Sequence, residues 1–243
     1  MTANNPSTRM LAQIQTWSAT GDRRSEFLQC YAIMTHNMQQ AIATNRFHDP
    51  LWMDRLVAHF ADYYFVALDA YEGTAGPVPA IWQQTFDLAR DPAVSVIHNL
   101  LFGVNAHINY DLALAVSDML GPEATTSTPD RWAERRADYD LVNQVIADSI
   151  DTVQDQVIHE HLPEMRIVDL ALGPLDEHVI ARLIVQWRDR VWDNAFELVT
   201  AGSSDDYECT RRRIEQETIG FMERLRTGEL GVGPLDALLR WLG

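Results

Sequence analysis

The stretch from Val94 to Leu120 constrains the fold more than any other part of the chain. Its apolar residues, among them Ile97, Leu100, Leu101, Phe102, Val104, Ala106, Ile108 and Leu112, fall all round a helix that advances about 100° per residue. A rod that is greasy on every side has to be surrounded, so the spacing predicts a buried central helix over about residues 92–120. Within it the polar residues do not scatter. His98, Asn105 and Asn109 fall on one stripe, and His107 and Asp111 fall on the opposite one. A buried amide or imidazole without a partner costs roughly 1 to 3 kcal/mol, and a carboxylate costs more. Neighbouring helices, water, a metal ion or a ligand must therefore answer these side chains.

Elsewhere the apolar pattern repeats at about 3.6 residues, and alternating runs of β-branched residues are missing. The fold class expected is all-α: one domain over 1–243, a bundle of about seven or eight helices, with residues 1–24 partly extended. The helices are expected at about 25–45, 50–71, 78–90, 92–120, 130–158, 175–200, 205–226 and 234–242. Start signals mark two of them, Asp49-Pro50 and Asp91-Pro92, each pairing an N-cap aspartate with proline at the first helical position. Clusters such as "EGTAGPVP", "GPEATTSTPD" and "AGSSDD" supply the turns between them. The segment 158–173, which contains His159 and His161, is expected as a loop with a short helix or strand.

Charge and composition exclude several functions. A formal net charge of −16 is the wrong sign for nucleic acid or an anionic membrane surface. All 19 basic residues are arginine, which removes Schiff-base and lysine-base chemistry. The two cysteines, Cys30 and Cys209, have no ligand spacing and are expected to be buried free thiols. No secretion leader or membrane span is read, so the expected location is the cytoplasm. Phosphate loops, nucleophile elbows, dinucleotide fingerprints and paired Glu-x-x-His motifs do not occur. The acids of "SDDYE" at 204–208 suit a helix start.

The candidate chemistry gathers at His107 and Asp111. A His-x-x-x-Asp pair on one helical face offers an imidazole nitrogen and a carboxylate to a single point, as a divalent metal or a general acid–base pair requires. Gly103, one turn earlier, either leaves room for a substrate or admits a crossing helix. The pair itself is either a site or a structural bridge that fixes helix register. Asn105 and Asn109 are supporting hydrogen-bonders. If the helix after Pro50 turns His59 and Asp62 the same way, His107, Asp111, His59 and Asp62 form a possible metal site.

The motifs "FGVNAHINYDLALAV", "FHDPLWMDRLVAHFADYYFVAL" and "PAIWQQTFDLA" resemble a bacterial helical family catalogued only as a domain of unknown function, over about residues 28–150. Its "NAHINxDL" core carries Asn105, His107, Asn109 and Asp111 over as the positions of interest. The central helix also looks similar to the metal-binding helices of zinc-dependent phospholipase C and related nucleases, which use His-x-x-x-Asp pairs. The remaining histidines and the secretion signal of those enzymes are not present.

These readings lead to one main expectation. It is an intracellular enzyme that acts on a small, largely apolar molecule between helices, by acid–base or metal-assisted hydrolysis or cyclisation of the kind found in secondary metabolism. The alternatives are a non-catalytic small-molecule binder and a structural or self-associating helical protein. The partners expected are a small-molecule ligand and, in a homo-oligomer, further copies of the chain.

Overall fold

A computed structural model describes residues 6–74, 76–153 and 175–242. The fold is all-α, and among the described residues there is no strand. In chain order the helices are α1 (Pro6–Thr20), α2 (Arg24–Ala43), α3 (Pro50–Tyr71), α4 (Ala80–Ala89), α5 (Val96–Asn105), α6 (Leu112–Leu120), α7 (Pro129–Val153), α8 (Leu175–Val199), α9 (Ser204–Thr227) and α10 (Gly233–Leu242). A π-helical turn, Ala106–Asp111, joins α5 to α6 without a break, so the three together form the central rod. The Leu112 N–H reaches back five residues to the His107 carbonyl, the wider bond that defines such a turn. The rod packs against α2, α3, α4, α8, α9 and α10.

Two boundaries correct the sequence reading. The N-terminal segment expected to be partly extended is helical from Pro6. Met10, Ile14 and Trp17 stand at i, i+4 and i+7, and this short apolar face lies on the core, with the Arg24 guanidinium 4.5 Å above the Trp17 ring. Polar residues around that face hide its period. The central helix also starts later than expected. Asp91 and Pro92 make a turn in which the Asp91 carboxylate accepts from Ala93 N–H, and the helix begins at Ser95, whose hydroxyl accepts from His98 N–H. Proline with a preceding aspartate suits the start of a tight turn as well as a helix, and here the turn wins. The stretch 158–173, with His159 and His161, lies outside the described residues.

The other start signal works as spelled. Asp49 accepts from Trp52 N–H at 3.0 Å with Pro50 at the first helical position. Asp138 of α7, buried, accepts from the backbone N–H groups of His48 and Asp49 at 2.6 and 2.8 Å. Arg135 stands beside it, over Trp52, bonded to Asp49 and Glu123. These contacts fix α3 on α7, and α3 is one wall of the site.

Candidate functional site

The site is assembled on the π turn. His107 Nδ1 and Asp111 Oδ2 lie 2.8 Å apart, and both side chains are almost fully enclosed. The indole Nε1–H of Trp82 donates to both oxygens of the Asp111 carboxylate at 3.0 Å. Trp82 comes from α4, whose first residue follows Pro79, a residue with no side-chain oxygen to cap the helix. Glu215 of α9 supplies the cap instead and accepts from Ala80 N–H at 2.6 Å. A carboxylate 135 residues from Ala80 in sequence thereby sets the position of the indole.

Aromatic rings close the space around the imidazole. Phe60 stacks on it at 3.6 Å and 10° between planes, and Tyr31 meets it at 4.2 Å. Phe27, Tyr64 and Trp82 follow at about 6 Å. Gly103 is the reason Phe27 fits. A Cβ there would run into the Phe27 ring, so of the two readings of this glycine it is the crossing helix, α2, that it admits, and a ring fills the space beside it.

Burial sets the protonation of the pair. It pushes the His107 imidazole well below its ordinary value and the Asp111 carboxyl well above its own, because neither charged form is solvated. Trp82 opposes the second shift by donating to Asp111. One polar atom remains open: His107 Nε2 is buried and has no hydrogen-bond partner.

The opposite stripe behaves differently. Asn105 donates to the Thr218 carbonyl of α9 at 2.9 Å, and Asn109 donates to Asn105 Oδ1 at 2.9 Å. Tyr110, on the same turn, accepts from Arg211 at 2.7 Å. Asn105 and Asn109 are brought to each other and to α9, away from Trp82 and His107. His98 sits at the head of this stripe with Nδ1 2.8 Å from the Ser95 hydroxyl, and burial lowers its pKa.

The four residues expected to hold a metal do not converge. His59 Nε2 is 2.8 Å from Asp118 Oδ2, to which Tyr63 also donates at 2.7 Å, and Asp62 is exposed. Asp111 meanwhile is committed to His107 and Trp82. Among the described residues no group of three or more His, Cys, Asp and Glu side chains could hold a metal ion. Cys209, expected to be buried, is exposed on α9; Cys30 is half-buried, and its thiol is pushed up to about 12 by desolvation. Among the described residues no helix is long and apolar enough to cross a membrane.

Sequence reasoning named none of Tyr31, Phe60 and Trp82 among the site residues. Only Trp82 carried a signal, because a buried indole N–H needs an acceptor. A groove of about 500 Å³ on α8 is lined by Trp192, Asp193, Phe196, Glu197 and Thr200, and so by none of the candidate residues.

Residues 7–228 match a family described as a family of unknown function (DUF5995). No curated protein and no solved structure matches the chain.

Proposed function

This chain belongs to that family of unknown function, and from that premise we propose that it is a cytoplasmic enzyme carrying out acid–base chemistry on a small, largely apolar molecule at the His107–Asp111–Trp82 centre. One observation carries the reading. The imidazole is held at Nδ1 by a carboxyl group while Nε2 is enclosed and answered by nothing, which is how a positioned proton donor or acceptor is presented. Two further features support it. Strongly shifted acids and bases gather at functional sites, and π turns persist there despite their poorer geometry.

The chemistry follows from the electrostatics. With charge opposed on both members, the pair rests net neutral, one hydrogen lying between Oδ2 and Nδ1 and another on Nε2. When Nε2–H passes to a substrate atom, the hydrogen shared with Asp111 settles on Nδ1. The carboxylate that results is held by Trp82 Nε1–H and His107 Nδ1–H. Run backwards, the same steps take a proton from a substrate. Asn105 and Asn109 hold the rod against α9 and take no part in the transfer.

The test is turnover of a panel of uncharged apolar esters and enolisable ketones by the wild type, His107→Gln and Asp111→Asn. Both variants should lose about 10² to 10⁴ in rate while melting within a few degrees of the wild type. The Phe60 ring stacked on the imidazole favours a second, architectural reading of the pair. On that reading both variants melt far lower, and any turnover found survives in His107→Gln.

A further inference from the structure

His107 Nε2 is not alone in lacking a partner. The Tyr31 hydroxyl and Thr35 Oγ1, both buried on α2, have no polar partner beyond each other. Thr35 lies beside the Tyr31 hydroxyl, and Asp111 is among the charges that act on it. The Tyr31 ring is in contact with the imidazole. Tyr64, whose ring stands 6.0 Å from both the Tyr31 ring and the imidazole, also has an unpartnered hydroxyl, and the charges acting on it are Arg24, Glu72, Asp22 and Arg9 rather than Asp111. Buried polar atoms in native proteins are nearly always satisfied by protein, water or ligand, so the Tyr31–Thr35 pair and the open imidazole nitrogen beside it suit a polar head.

The surroundings define that head further. A carboxylate would need a cation beside it and an ammonium would need a free carboxylate. His107 bonds only to Asp111 among the described residues, and both Asp111 oxygens already serve Trp82. Two hydroxyls and one ring nitrogen suit a single neutral oxygen. The rest of the wall is aromatic, from Phe27, Phe60 and Trp82. Phe60 is half-buried while the imidazole beneath it is enclosed, so its ring is the part of the wall that meets solvent.

Resting on the acid–base reading above, we infer that the molecule taken by this centre is uncharged, bears one carbonyl or hydroxyl oxygen on an apolar body, and is held through Tyr31 and Thr35 after displacing the Phe60 ring. Burial and Asp111 hold the Tyr31 hydroxyl well above its ordinary pKa, so it stays a donor to that oxygen.

The experiment is a titration of ¹⁵N-histidine-labelled protein with acetophenone, its apolar counterpart ethylbenzene, and benzoate, following His107 Nε2. Acetophenone should bind about tenfold more tightly than ethylbenzene and move the Nε2 resonance, and benzoate should not bind. Phe60→Ala, or Phe60→Leu if the alanine variant does not fold, should tighten acetophenone by about tenfold, because the ring no longer has to be displaced. Tyr31→Phe with Thr35→Val should reduce the preference for acetophenone to near unity. The inference falls if ethylbenzene binds as well as acetophenone, if benzoate binds best, or if folded wild type and Phe60 variants bind no probe. These are binding measurements, so the two readings fail separately. If binding fails as above while His107→Gln still abolishes turnover, only the ligand class is lost. If the selectivity holds while turnover survives in His107→Gln, the acid–base reading is lost and the ligand class stands.

Discussion

Two faces of one helical turn carry polar side chains into the core, and they settle them in opposite ways. Towards α9, Asn105, Asn109 and Tyr110 find Thr218, one another and Arg211, and neither asparagine keeps a buried polar atom without a partner. Towards α2, α3 and α4, Asp111 is held by Trp82 and His107, yet His107 Nε2 is left open beside Tyr31 and Thr35 within a ring of aromatic side chains. Burial is nearly equal on the two faces. Depth therefore does not separate the two faces of this turn; the partners that Asn105, Asn109 and Tyr110 find, and that His107 Nε2 lacks, do.

The comparison breaks most visibly at Asp111. Asp111→Ala leaves the Trp82 indole and the His107 imidazole without their shared partner, and two such losses should lower the unfolding free energy by about 3 to 4 kcal/mol in chemical denaturation. A cost under about 1 kcal/mol would mean that the centre does not hold α4 and the rod together. On the closed face, Asn105→Ala opens the Thr218 carbonyl and the Asn109 amide to each other only, and about 1 to 2 kcal/mol is expected from the same measurement. It should leave the turnover lost in His107→Gln intact, and a variant that loses both would erase the distinction between the faces.

The smallest effect sharpens the comparison through pH. The folded imidazole of His107 lies well below the value near 6.5 that it has in the unfolded chain. As pH falls below about 6.5 the unfolded chain takes up a proton at His107 that the folded chain refuses, which costs the wild type up to about 1.4 kcal/mol per pH unit and offsets the stability gained from the proton that Asp111 holds only when folded. His107→Gln has no such group, and its stability relative to the wild type should rise between pH 7 and pH 5.5. Parallel stability curves for the two proteins would place His107 in contact with solvent and end its role as an enclosed base.

Much of this was legible before any coordinates. The rod, its encirclement, the cap at Asp49 and the pairing of His107 with Asp111 follow from period and spacing, because an i, i+4 neighbour on a helix is a neighbour whatever surrounds it. α1 was less legible, since three apolar residues among polar ones give a weak period. Residues far apart in sequence were beyond reach. Nothing near Trp82 says that it serves Asp111, and nothing near Glu215 says that it caps α4.

The sequence alone determined that the chain is helical, that the rod within 92–120 is largely enclosed, and that its polar residues must be answered from outside the helix, because these depend on local period and on the cost of burying polar groups. The tertiary structure decided which helix answers which group. It committed Asn105 to α9 and Asp111 to Trp82, sent His59 to Asp118, and left His107 Nε2 among aromatic rings. The reason is physical: satisfying a buried polar atom needs a partner within about 3 Å, and across a bundle that distance is set by packing between helices.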